Sequence, residues 1–226
     1  IGTITIAWVV GAQVLRAPSE RESHSPSELV EPKIANQFFS RTMEKLNESG
    51  VKSFGVRIDG TADYPCKLHD ADYPLVLLYF QGFWDLAHTK DETAIAEGGK
   101  TVAVIGTPLS HHYPKENEEL QKKIASEFLL ISQVPVIRYE QNGPEFNRFY
   151  FPERNKTMSA LSNATIIVEA DEDSGTFIQA KAALKQGRKV FILNNNFEQP
   201  TLNWPKKLEA ASAIRIRTTD DILKNL

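Results

Sequence analysis

The chain has 226 residues, 41% hydrophobic and 24% charged, enough apolar material for one sizeable core and a small second unit. A formal charge of −3 and a pI near 6.0 exclude a molecule that is basic overall, so any site for a polyanion must be a local patch. The one cysteine, Cys66, excludes an intrachain disulfide and a cysteine-based metal cluster.

In chain order, residues 1–17 (IGTITIAWVVGAQVLRA) fit a helix or a strand, because so short an apolar run does not separate the two periods. The run 4–10 is too short to span a bilayer and lacks the basic flank of a signal peptide, so the expectation is a cytoplasmic protein with no membrane partner. Residues 18–32 are rich in Ser, Pro and Glu and read as a linker or exposed loop. A helix over 33–49 places Ile34, Phe38, Met43 and Leu46 near one stripe and stops at Gly50. Residues 51–58 (VKSFGVRI) and 75–80 (LVLLYF) read as strands. Between them lie Tyr64-Pro65 and Tyr73-Pro74, where each proline holds the preceding tyrosine extended. Residues 83–92 show no period, and Phe80, Phe83 and Trp84 are expected in a core.

From Thr93 the pattern is regular. A helix end over 94–97 stops at Gly98-Gly99, and 100–106 (KTVAVIG) is a buried strand followed by the loop 107–114. A charged helix over 115–126 and a strand over 128–132 lead into a long loop, 133–150, of the kind that is functional or mobile. A helix over 154–161 is broken by Ser162-Asn163. Residues 165–169 (TIIVE) then have the β-branched pattern of a strand buried on both faces. A polar loop, 171–174, leads into a helix opened by Ser174-Gly175-Thr176 and ended by Gly187. The strand 189–193, the polar loop 194–205, a helix over 206–211, an edge strand over 213–217 and a helical turn over 220–226 complete the chain. Strands alternating with helices of this length predict an α/β fold with a Rossmann-like, doubly wound, mostly parallel sheet. Residues 1–50 are expected to be a small helical extension and 51–226 the domain.

Several spaced segments resemble the DprA/Smf family of DNA-processing proteins. They are ADYPCKL and PLVLLYFQG within 62–82, GGKTVAVIGTPLSHHYPKENEEL (98–120), LLISQVP (129–135) and, above all, FPERNKTMSALSNATIIVEADEDSGTFIQAKAALKQGRKVF (151–191). In this last stretch the family carries FP-x-RNR, a GLS-like turn, VVEA and SG. The order of these segments over 33–226 is the family's. The first Rossmann unit of the family, with its G-[ST]-R turn, is expected between 86 and 93, where nothing matches it and where a βαβ unit of about 30 residues has no room. Lys156 stands where the family has Arg, Ala160 for Gly, Gln133 for Glu, and Asn194-Asn195 for a Pro-Gly turn.

The resemblance implies binding of single-stranded DNA, protection of DNA during natural transformation, loading of the RecA recombinase and a homodimer. It implies neither an enzyme nor a cofactor. Arg154, Asn155 and Lys156 are the expected nucleic-acid contacts, since basic side chains near a helix start suit phosphates. Gly106, Thr107, Glu169, Ser174, Gly175 and Thr176 stand at strand ends and a helix start, where open α/β sheets bind nucleotides and phosphates. For each of these two glycine turns, taken alone, a tight turn is the simpler reading. A nucleotide-binding enzyme or sensor, and a scaffold that has lost half its crevice, are the competing readings. The adjacent His111 and His112 are not read as metal ligands, because neighbouring residues of an extended loop point apart. Tyr113 suits base stacking or packing equally.

Overall fold

A computed structural model describes residues 3–15, 26–70, 75–88 and 99–226. The chain divides into two compact units, Ile1–Cys66 with Tyr73–Arg154, and Lys67–Asp72 with Asn155–Leu226.

The first unit opens with helix α1 (Thr3–Leu15), which settles the helix-or-strand ambiguity. Its Val9 and Val10 enter a core with Leu46, while Ala7 and Ala12 pack with Val30 and Ala35. A short helix, α2 (Pro26–Leu29), lies inside the segment expected to be a linker, and α3 (Pro32–Glu48) follows. Gly50, at φ +80°, ends α3: the Val51 amide donates to the Leu46 carbonyl (2.9 Å) and the Gly50 amide to that of Asn47 (3.0 Å), the two-bond glycine stop expected there. The buried face of α3 runs through Ala35, Thr42 and Leu46, whereas Ile34 is exposed, so the apolar stripe is rotated from the expected one.

Strands β1 (Gly55–Ile58), β2 (Leu77–Gly82), β3 (Val102–Ile105) and β4 (Leu129–Ser132) form one sheet in the order β1-β2-β4-β3. β3 and β4 are parallel; β1 with β2, and β2 with β4, are antiparallel. The buried Tyr64 donates its hydroxyl to the Leu75 carbonyl, and burial raises its pKa above the ordinary tyrosine value. Phe80 and Trp84 are buried as expected and flank the Arg57 guanidinium at 4.6 Å from each ring, but Phe83 is exposed. The helix end expected over 94–97 lies outside the described residues, as do Tyr73-Pro74 and Gly98.

Helix α4 (Glu118–Glu127) connects β3 to β4 and buries Gln121 and Ile124. The expected loop 133–150 is instead largely helical. α5 (Val136–Gln141) starts after Pro135 and buries Val136 and Ile137, and α6 (Pro144–Asn147) has proline in its first turn. Proline is well suited to a helix start, so residues read as loop punctuation open two short helices.

Helix α7 (Tyr150–Leu161) begins four residues before the expected start; it carries Arg154 at the end of the first unit and Asn155 at the start of the second. In the second unit β5 (Ala164–Ile167) is followed by α8 (Thr176–Lys185), β6 (Lys189–Leu193), α9 (Asn195–Glu198), α10 (Trp204–Ala210), β7 (Ile214–Ile216) and α11 (Thr219–Leu223). The three strands are parallel in the order β5-β6-β7, over a core of Ile167, Ala180, Ala183, Val190, Ile192, Trp204 and Leu208. The β5 segment is not buried on both faces: Thr165 and Ile167 are covered while Ile166 and Val168 are 44% and 59% exposed, the alternation of a strand with one covered face. The architecture is α/β and Rossmann-like, as expected, with its hydrogen-bonded ladders grouped in two sheets and with β1 and β2 antiparallel. Among the described residues no helix is long and apolar enough to cross a membrane.

Candidate functional site

In the first unit the site is built at the C-terminal end of β3. Gly106 is buried, and a Cβ placed on it would lie 2.8 Å from Phe151 Cδ1. The close approach that requires glycine here is therefore made by an aromatic ring. Thr107 is 2% exposed and donates its hydroxyl to the His111 carbonyl (3.1 Å). Its own carbonyl accepts from Ser132 Oγ (2.7 Å), which in turn accepts from the Val134 amide (3.1 Å). Gln121 Nε2 donates to the same His111 carbonyl (3.2 Å). These bonds pin the loop 107–114 onto β4 and α4.

Aromatic rings cover this loop. Tyr113, 64% exposed and followed by a cis peptide bond to Pro114, has its ring centroid 5.4 Å from that of Phe151. His111 meets Tyr139 edge-on at 5.0 Å, and Tyr139 lies 6.1 Å from Tyr150. Partial burial raises the Tyr139 pKa. Arg154 donates from Nη1 to the Val104 carbonyl on β3 (3.2 Å), with its guanidinium carbon 6.0 Å from the Phe151 ring centre. Desolvation lowers its pKa from the ordinary arginine value, but arginine is so strong a base that the group stays a cation.

In the second unit the structure brings Asn155 to the Ser174-Gly175-Thr176 turn. Asn155 Nδ2 donates to the Gly175 carbonyl (3.3 Å). Ser174 Oγ donates to Thr176 Oγ1 (2.8 Å) and accepts from the Thr176 amide (3.2 Å), so both hydroxyls serve the start of α8. Gly175, at φ −59°, is exposed, and a Cβ there would have the Asn155 amide at 3.8 Å and nothing closer. Lys156 is partly exposed on α7, and its carbonyl accepts from Ser159 Oγ (2.8 Å). Glu169 is exposed at the end of β5.

The residues that hold the acidic loop 169–173 are not legible as such in the sequence. Asn196, 1% exposed, donates to the Val168 carbonyl (2.9 Å) and the Leu193 carbonyl (3.1 Å). Trp204 Nε1 donates to the Ala170 carbonyl (3.2 Å), and Glu172 accepts from the Asn203 amide (2.9 Å). The run Asn194-Asn195-Asn196 directly after a strand is the signal that marks this anchor. Chemically, the two constellations offer a desolvated cation beside aromatic rings and a hydroxyl-rich helix start. The Thr107 and Ser174 hydroxyls are directed to a carbonyl and to another hydroxyl rather than to a base.

Residues 85–226 match the family model for DNA recombination-mediator protein A. The DNA processing protein DprA of Bacillus subtilis is 35% identical over 133 residues, which cover 59% of this chain and 43% of that protein. DprA of Streptococcus pneumoniae is 38% identical over 100 residues (44% and 33%), and the Smf protein of Escherichia coli 31% over 153 residues (65% and 37%). The chain thus spans less than half the length of these curated relatives. The X-ray structure of DprA from S. pneumoniae superposes with a TM-score of 0.67 at 21% identity, covering 98% of this chain and 95% of that one. DNA processing protein A from Helicobacter pylori, solved for its single-stranded DNA binding mode, gives 0.58 at 19% identity, covering 76% and 95%.

Proposed function

The chain belongs to the DNA recombination-mediator protein A family, and from that premise we propose that it is a DNA-processing protein that binds single-stranded DNA and catalyses no reaction. The observation that carries the reading is the FPERNK segment. It forms the first half of α7, holds the Arg154 cation against β3 beside the Phe151 and Tyr113 rings, and continues into Asn155 and Lys156. A fixed guanidinium next to aromatic rings suits a strand that offers both phosphates and unstacked bases. The H. pylori relative, named for its single-stranded DNA binding mode, supports the same ligand class. Action in DNA uptake, loading of RecA, a homodimer and a cytoplasmic location follow from the family on the same proposal.

Mobility shift of a labelled oligonucleotide tests it. A shift in the micromolar range at low salt is expected. No shift at tens of micromolar protein overturns the reading. The convergence of Asn155 on Ser174-Gly175-Thr176 favours a second reading, a nucleotide bound at the start of α8. Stabilisation by a mononucleotide without any effect of an oligonucleotide would select it.

A further inference from the structure

Helices α5 and α6 fill the segment 133–150 and are well anchored. Val136 and Ile137 are buried, Asn147 Nδ2 donates to the Tyr139 carbonyl (2.9 Å), and the turn closes through Asn147 N to Gly143 O (3.1 Å) and Phe149 N to Phe146 O (3.1 Å). Yet this ordered turn holds two of its largest apolar side chains in water: Phe146 is 66% and Phe149 60% exposed. They stand three residues apart, Phe146 in α6 and Phe149 in the turn that follows it, and the Phe149 N to Phe146 O bond that closes this turn keeps the two residues close together. Arg148, between them in sequence and αR in backbone, is exposed and carries its guanidinium carbon 5.5 Å from the Phe149 ring centre. Two exposed rings with a stacked guanidinium match the two parts of a single strand, the faces of its bases and its phosphates. A duplex keeps those faces covered. An acidic side chain, Glu145, sits on the same turn, so the surface is not a plain cationic patch and its attraction must come chiefly from the rings.

Resting on single-stranded DNA as the ligand, we propose that Phe146, Arg148 and Phe149 form a base-stacking platform, on which successive unpaired bases lie against the two rings while Arg148 meets the intervening phosphate.

The test compares the full chain with Phe146→Ala/Phe149→Ala and Phe146→Leu/Phe149→Leu, using fluorescence anisotropy with an ordinary single-stranded oligonucleotide and an abasic one over a range of salt. Both variants should lose about fivefold or more in affinity for the ordinary strand, the leucines included because they keep apolar area but present no ring face. The slope of log affinity against log salt should not change, since every phosphate-facing cation is kept. The abasic strand should bind all three proteins alike. Unchanged affinity of the alanine variant for the ordinary strand overturns the platform while leaving single-stranded DNA as the ligand. Unchanged DNA affinity with a loss of self-association in sedimentation would instead assign the rings to an interface between copies of the chain. Absence of any binding by the parent protein overturns both the platform and the function on which it rests.

Discussion

Gly106 and Gly175 read alike in the sequence, each a small residue after a strand or before a helix, and the structure gives them opposite roles. At Gly106 the Phe151 ring occupies the space a side chain would need, 2.8 Å from a Cβ, and the ring belongs to the FPERNK helix. Gly106→Ala should therefore force the ring or β3 to shift, at a cost of about 1–3 kcal/mol in urea unfolding. Gly175 has a φ of −59° that any residue adopts and open space beside it, so Gly175→Ala should change stability by no more than about 0.5 kcal/mol. A sequence shows that a residue is small but not what stands over it, and Phe151 is distant from Gly106 along the chain. The same holds for Thr107, whose hydroxyl is legible as a donor but whose acceptor, the His111 carbonyl, depends on how the loop folds back. Arg154 and Lys156 are candidates because the motif names them. Replacing both by alanine should weaken oligonucleotide binding and flatten its salt dependence by about 0.7 in slope for each phosphate no longer neutralised.

At the scale of elements, the sequence pattern finds α3 and every described strand, leaves α1 undecided between helix and strand, and fails where a short element is started by a special residue. The segment 133–150 reads as a loop because Pro135, Gly143 and Pro144 punctuate it; the prolines start α5 and α6 instead. The loop 194–205 reads as merely polar, yet Asn196 inside it joins the ends of β5 and β6. Asn196→Ala should remove one donor each from the Val168 and Leu193 carbonyls, Val168 keeping the Asn195 side-chain amide (3.3 Å), and cost about 1–3 kcal/mol in urea unfolding followed by circular dichroism. The last helix shows a cap with a pH signature. Asp221 accepts from the Arg217 (2.9 Å) and Thr218 (3.0 Å) amides, and these bonds hold its pKa below the ordinary aspartate value. A depressed folded pKa means that the cap supports α11 above the ordinary value and is lost as the pH falls through the lower, folded one. The Arg217 and Thr218 amide proton shifts should titrate with a midpoint below the ordinary aspartate value, and Asp221→Asn should abolish that titration.

For the molecule as a whole, the alternation of strands and helices suffices for the α/β class but not for strand pairing. β1 and β2 run antiparallel, and the described residues between Ile58 and Leu77 contain no α-helix to carry the chain across the sheet. Nor does composition locate a ligand. With a net charge of −3 the chain has no general attraction for a polyanion, so the proposed binding would have to come from a local surface. A mononucleotide brings one base and one phosphate group and could engage the α8 start alone, where Asn155, Ser174 and Thr176 meet. On the proposed function an oligonucleotide would use the Arg154 cation and the exposed rings of the first unit. Thermal unfolding with each ligand separates the two. An oligonucleotide at about 100 times its dissociation constant should stabilise the folded protein by about 2.7 kcal/mol, a rise of roughly 5–10 °C for a chain of this size. A mononucleotide at the same concentration should leave the transition where it was. Equal shifts with both ligands would favour the start of α8 over the FPERNK surface as the site, because a strand that spreads over a surface should gain contacts that a single nucleotide lacks.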